Sequence, residues 1–595
     1  MKRISSEAIL QSFRFIVISS IPLSIPLAAL LLFLRLSPQI VNGAIPVYSL
    51  FPLMGVFEIH FFVDRLSLGF GILVSSAYLL VTIYSVGYIH THRLKYYSLL
   101  TLNLVSMLGL ILARDLLGFY IFFELVSFSA YFLIIHSREK EATDAGYKYI
   151  VMMLVGGLFI LTAMAVLFMA PEDRGDWSGL AGICFSIGCL LKAGAFPFHT
   201  WLPDAHPAAP TPISALLSGT MIKVGAYGLV RAFFYPAFLG GVSEVENSVF
   251  LFESLRSLSQ SVLGTRQWII SPASLLILTG VLSMLIGVSL ALIQKDLKKL
   301  LAYHSVSQIG YILLGLGIGK SGLAGGLLHI FSHAIFKGLL FLAVGAVIFK
   351  TGIRKITLLG GLWRKMPVTT LTCVIAALSI SGVPLTSGYA SKGIIFAGLT
   401  GNLPLQMIFI LTSAGTCASF LKLVRHTFFG KPNSPLGDVK EVSSSMYIPM
   451  IVLAVGSLML GIFPTFTLNI LFGSFAPTPR LWTISHIFEA LLSVGIGVGL
   501  YTFLLRMGVF GLEHNEAAGQ NVSIFKFLSR GQFLRNLSLD RFYKYIAQGV
   551  FAVCTKLGKH QSRSLSVYIQ IMIFFLVIVI FAFLIFLALQ RYFGW

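Results

Sequence analysis

Apolar runs long enough to cross a membrane recur along almost the whole chain, and this repetition limits its fold more than any single motif does. Crossing about 30 Å of hydrocarbon takes roughly 20 helical residues. Such runs lie near 15–36, 66–88, 97–113, 115–135, 146–170, 179–198, 213–234, 270–293, 300–318, 322–349, 368–386, 390–400, 403–428, 447–472, 485–506 and 566–590. In lipid every backbone amide and carbonyl must be paired within the protein, so only helices and closed barrels span a membrane. These runs are too long for barrel strands and do not alternate apolar with polar residues. Hydrophobic residues make up 56% of the chain, charged residues 11%, and mean hydropathy is +0.88, which excludes a soluble fold. The expected fold is an all-α membrane protein, a polytopic helical bundle of about 14–15 transmembrane helices, with 368–386 and 390–400 forming one interrupted helix.

The amino terminus, "MKRISSEAILQSFRF", leads into a run without a small-residue cleavage site, so residues 16–36 are expected to stay as an anchor. The five cysteines show no CxxC pair, and they suggest no iron–sulfur cluster, zinc site or disulfide framework. A formal charge of +21 would suit a nucleic-acid binder in a soluble chain, but in a spanning chain it must be read loop by loop. "HTHRLKYY", "QKDLKKLLAY", 350–365, "RHTFFGKP" and 506–563 are basic, whereas "APEDRGDW" and "GGVSEVENSV" are acidic or neutral. By the positive-inside rule the basic set faces the cytoplasm. This arrangement puts Met1 inside and Trp595 outside, and it leaves no role for nucleic acid. The segment "VNGAIPVYSLFPLMGVF" reads as an outer loop with short strands.

Within the spans, ionisable residues stand out, because a charge at mid-membrane costs at least ~2.5 kcal/mol and normally faces a partner or a water-filled cavity. Glu124, Lys192, Lys223, Lys337 and Lys392 all fall there. A lysine can instead snorkel to the headgroups along its own stem. Several deep groups together still call for a shared function. Lys192 and Lys392 also lie beside breaks, in "KAGAFPFHTWLPDAHPAAPTP" and "ISGVPLTSGYASKG", where prolines and glycines interrupt an apolar helix. Such breaks mark ion pathways. Two of them, each ending a group of about five helices, fit an inverted repeat with one discontinuous helix in each half. His329, His333 and Lys337 recur at i, i+4 and i+8, one stripe on a helix. The HxxxH spacing also suits a metal, but no carboxylate accompanies the stripe. A proton relay suits groups whose affinity for protons burial can retune.

Three long segments, "FPFHTWLPDAHPAAPTPISALLSGTMIKVGAYGLVR", "LALIQKDLKKLLAYHSVSQIGYILLG" and "HIFSHAIFKGLLFLAVGAV", resemble the antiporter-like membrane subunits shared by respiratory complex I, membrane-bound hydrogenases and Mrp-type sodium/proton antiporters. The likeness runs from about Phe57 to Phe428. It implies a pair between Glu124 and Lys192, a lysine after the first break at Lys223, a central relay of His329, His333 and Lys337, and a terminal group at Lys392. It also divides the chain into an anchor helix and outer loop (1–60), an entry segment resembling the family's third helix (61–96), a first repeat (97–234), a second repeat (270–428), additional helices (429–506), a cytoplasmic amphipathic segment (507–565) and a closing helix (566–595). Two departures accompany the likeness. One helix precedes the entry segment where the family usually has two, and the stretch around 539–556 reads as a short interfacial helix lying on membrane lipid.

The resemblance implies a proton-translocating subunit of a complex-I-like or hydrogenase-like respiratory complex, working with other membrane subunits. Alternatives are a subunit of an Mrp-type antiporter moving protons or sodium ions, and the membrane partner of an inorganic-carbon uptake protein. No Gly-rich dinucleotide loop follows a strand, so the chain is expected to be redox-inactive by itself and to carry no cofactor.

Overall fold

Polar residues at the ends of apolar runs set the helix boundaries. Asp64, Asp115, Asp296, Asn402 and Thr483 each accept a backbone N–H of the first turn that follows, satisfying donors that a helix start leaves open. The helices are α1 (Ser6–Val41), α2 (Arg65–Tyr88), α3 (Arg93–Leu112), α4 (Leu116–Ile134), α5 (Lys140–Met169), α6 (Gly175–Ala193), α7 (Leu202–Ala208), α8 (Thr211–Leu216) and α9 (Lys223–Phe234) in the first part. They continue as α10 (Pro272–Leu292), α11 (Leu297–Gly317), α12 (Lys320–Thr351), α13 (Pro367–Ser381), α14 (Ser387–Ala397), α15 (Leu403–Val424), α16 (Ser444–Ile462), α17 (Pro464–Phe472) and α18 (Ile484–Arg506). This computed structural model describes residues 6–49, 59–169, 175–234, 272–432, 437–473, 476–477 and 481–507. All of them belong to the unit Met1–Ser529; the second unit, Arg530–Trp595, lies outside the described residues. The expected interfacial helix near 539–556 and the closing helix at 566–590 fall there too.

Thirteen segments among the described residues are long and apolar enough to span a membrane, and α13, at Pro367–Ser381, is a shorter apolar helix that leads into α14. The chain is a multi-pass membrane protein. Its spans differ sharply in burial: the apolar windows of Thr211–Phe233, Gly322–Thr351 and Leu297–Gly317 are 100%, 94% and 89% buried, against 17% for Pro22–Val41 and for Ile484–Arg506. The first three therefore form the middle of the bundle, and the last two its rim. Close backbone approach holds the middle together. A Cβ on Gly310 of α11 would stand 2.5 Å from the carbonyl oxygen of Gly280 on α10, so only glycine permits this spacing. Short strands are present in this region as β1 (Val47–Ser49), antiparallel to β2 (His60–Phe62).

Both expected breaks occur, and protein groups satisfy the freed backbone, as the bilayer demands. α6 ends at Ala193, Gly194 takes a positive φ of 67°, and a short turn at Phe198–Trp201 leads into α7 and α8. Trp201 Nε1 donates to Leu191 O (3.2 Å), Ser283 Oγ accepts Phe196 N (2.9 Å), and Lys298 Nζ donates to Ala209 O (2.8 Å). At the second break Gly382 and Leu385 have positive φ, and Lys392 Nζ donates back across the gap to Ile380 O (2.8 Å). A third interruption differs from the sequence expectation of one span over 447–472. α16 stops at Ile462 and α17 starts at Pro464, because proline has no N–H to continue the ladder but suits a first helical turn.

Candidate functional site: a buried line of titratable groups

The site is built from the two interrupted helices and the three most buried spans between them. On α4, Glu124 faces α5, where a Cβ added to Gly157 would coincide with Oε1 of the carboxylate. Gly157 thus supplies the room that the carboxyl group occupies. Oε1 is buried and has no hydrogen-bond partner. Lys192, in the last turn of α6 before the break, is 2% exposed. Its Nζ donates to Ser127 Oγ (2.5 Å) and to Phe123 O (3.4 Å) on α4, and it sits 4.7 Å from the centre of the Phe123 ring. Glu124 and Lys192 are within electrostatic reach of each other. The lysine is nevertheless tied to Ser127 rather than closed into a direct ion pair, which refines the sequence expectation.

Beyond the first break, a π-helical turn at Leu217–Met221 delivers Lys223, whose Nζ donates to the Ser218 carbonyl. Wide turns of this kind free carbonyl oxygens and often mark functional positions. α12 carries the stripe expected from the sequence. His329 and His333 stack with ring centres 6.2 Å apart and planes within 7°. His329 is bonded on both nitrogens, to Ser391 Oγ of α14 (2.9 Å) and to Gln308 Oε1 of α11 (3.1 Å). Both ring nitrogens of His333 are buried with no hydrogen-bond partner. Lys337 is fully buried, donates to the Leu301 carbonyl and lies over Phe341. Lys392, at the far end, lies 4.7 Å from the centre of the Tyr311 ring.

Two histidines join this line without having been singled out in the sequence. His206 of α7 stacks on Phe341 at 4.6 Å, and His304 of α11 packs 4.7 Å from Phe420; the ring nitrogens of both are buried without hydrogen-bond partners. His206 lies within electrostatic reach of Lys337, Lys298 and Lys223, and His304 within reach of Lys337, Lys422 and Lys392. The available signal was a histidine within the proline-rich break for His206 and one within an expected span for His304. The charged groups in reach of His206, His304, His329, His333 and Lys337 are all bases. A proton on one of these groups therefore disfavours a proton on a neighbour within its reach. Among the described residues no three His, Cys, Asp or Glu side chains gather as a metal would require.

Fold and buried groups together define an antiporter-like membrane subunit. The family model described as NADH:quinone oxidoreductase/Mrp antiporter, TM, matches residues 113–270 and 262–419, and the chain belongs to that family. Among curated relatives, it is 30% identical over 66% of its length to hydrogenase-4 component B of Escherichia coli and 31% identical over 74% to Na(+)/H(+) antiporter subunit A1 of Staphylococcus haemolyticus. These matches span only 60% and 57% of the two relatives. A chain of the archaeal membrane-bound sulfane sulfur reductase, a respiratory membrane complex, is 26% identical with a TM-score of 0.71, covering 95% of this chain and 99% of that one. A chain of the Mrp complex from Dietzia has the same fold at 21% identity, covering 83% of this chain and 94% of that one, with a TM-score of 0.64.

Proposed function

We propose that this chain is a proton-translocating subunit of a respiratory membrane complex. The reading is carried by the series of titratable groups between the two interrupted helices, the half-buried Glu124 followed by the buried Lys192, Lys223, His329, His333, Lys337 and Lys392. Lys192 held by Ser127 is one of two arrangements; the other closes it onto Glu124. When the pair closes, each group favours the other's charged form, and when it opens Lys192 releases its proton toward Lys223. Mutual repulsion among the central bases then passes charge along the line toward Lys392. The near-complete coverage of the solved respiratory subunit at 26% identity supports a respiratory complex over other assemblies. Likeness to a Na(+)/H(+) antiporter subunit favours the second reading, cation/proton exchange in an Mrp-type assembly.

The experiment that tests this is dye-monitored acidification of inverted vesicles holding the intact complex. The respiratory reading expects proton uptake when electron donor is added and none on a sodium pulse alone. A sodium-driven pH change without donor would establish the exchange reading instead.

A further inference from the structure

The line of buried groups stops at Lys392, yet a proton delivered there must still reach water. A half-open pocket of about 40 Å³ adjoins Lys392 where α13, α14 and α15 meet the rim helix α18. Its polar lining includes Tyr389, Lys392, Ser413, His486, Glu489 and Ser493. A water needs roughly 10–15 Å³ of such space and two or more polar partners, so the pocket has room for two or three. On its far wall His486 Nδ1 lies 3.4 Å from Glu489 Oε2, one turn apart on α18, with side chains 22% and 30% exposed. That exposure is the relevant contrast, since Lys392 itself is only 4% exposed. α18 begins opposite its basic cytoplasmic end, so the charge distribution of the loops puts this pair near the outer face.

We infer that Glu489, beside His486, is the outer proton acceptor for Lys392, reached through water in this pocket. The inference rests on the proton-relay reading above. The Lys392 ammonium gives one proton to a bridging water while that water chain gives one to the Glu489 carboxylate. Lysine is left as the neutral amine and glutamate as the neutral acid, and no electrons move. The acid then releases its proton outward, through the part of its side chain that is exposed. α18 lies beyond the 113–419 stretch matched by the family model, so nothing in that match assigns these two residues.

The test uses the intact complex in vesicles of known orientation. Glu489→Gln is expected to slow proton translocation about tenfold or more, in keeping with the effect of losing a positioned proton-transfer group, and Glu489→Asp to restore most of it. A small weak acid such as formate, added on the outer side alone, is expected to rescue Glu489→Gln; a structural role for the glutamate would give no rescue. Ser493→Leu, which fills the pocket and leaves the carboxylate in place, is expected to slow translocation as well, and it serves if Glu489→Gln reduces assembly. Lys392→Ala separates the two levels of the argument. If Lys392→Ala stops translocation while Glu489→Gln and Ser493→Leu run at the normal rate, the exit inference is overturned and the relay stands. If Lys392→Ala itself runs normally, the relay reading falls and the exit with it.

Discussion

His329 Nδ1 lies 2.9 Å from Ser391 Oγ, and Ser391 immediately precedes Lys392, so the central helix α12 and the second interrupted helix share a hydrogen bond at the point where the buried line changes helices. Gln308 holds the other ring nitrogen at 3.1 Å, which fixes the orientation of the imidazole. Ser391→Ala removes the link without removing a titratable group. Vesicle acidification is expected to fall several-fold, and Ser391→Thr, which keeps the hydroxyl, to recover it. Equal rates in wild type and Ser391→Ala would show that charge leaves His329 by another route.

The first half of the line makes a sharper demand. Lys192→Ala and Glu124→Gln are each expected to abolish translocation in a complex that still assembles, as judged by native gels. Lys192→Arg should fail too, because a guanidinium does not release its proton. Normal acidification in either Lys192→Ala or Glu124→Gln would remove the pair from the mechanism.

Gly157 tests the same site from the neighbouring helix. A methyl group there occupies the place of Glu124 Oε1, so Gly157→Ala is expected to displace the carboxylate and cut translocation about as severely as Glu124→Gln. The double variant Gly157→Ala with Glu124→Asp, whose side chain is one methylene shorter, should be faster than Gly157→Ala alone. Such coupling is the mark of residues in contact. Simple multiplication of the two separate effects would show that they act independently.

On α12, His333→Ala and Lys337→Ala are each expected to slow translocation, Lys337→Ala more, and the pair together scarcely more than Lys337→Ala alone. Blocking one route twice adds little, whereas two routes would give additive losses. Elemental analysis offers a separate check on the relay reading. Stoichiometric zinc or nickel in the purified chain, lost in His333→Ala, would make the stripe a metal site.

Asp64 and Arg231 concern stability rather than transport. Arg231 donates to Asp64 through both terminal nitrogens, at 2.5 and 2.7 Å, and through Nε to the Tyr227 hydroxyl at 2.7 Å. Burial alone would raise the Asp64 pKa, but the Arg231 charge and the hydrogen bonds from Arg231 and Ser67 outweigh it and hold the carboxyl below its ordinary value of 3.8. Its contribution is therefore present above the unfolded pKa and is lost only as pH falls through the lower folded value. Asp64→Asn leaves the guanidinium buried without its counter-charge and is expected to cost about 3–5 kcal/mol. Thermal unfolding in detergent at neutral pH should show a clear loss, and one that shrinks as wild type is acidified below about pH 4, near the ordinary carboxylate pKa. Equal unfolding temperatures of the two proteins at neutral pH would mean that the pair contributes nothing.

Length and chemical type of each segment were determined by the sequence alone. Helices, spans, the two breaks and the buried character of Lys192, Lys223, Lys337 and Lys392 follow from local physics: a run of about 20 apolar residues must be a helix in lipid, proline and glycine must interrupt it, and a deep charge must face protein. The break at Pro464 was locally readable as well, but the uniform apolarity on either side of it concealed the end of α16. Partners were decided only by the tertiary structure. That Gly157 rather than another of the glycines receives Glu124, that Ser127 holds Lys192, and that Asp64 meets Arg231 across 167 positions depend on which helix faces give the closest packing. A contact of that kind is a sum over many weak terms from distant segments, and no window of sequence contains them. His206 and His304 show the same limit, because an isolated histidine in an apolar run looks alike whether it caps a carbonyl or stands among lysines. Only the packing of α7 and α11 against α12 brings them into the line.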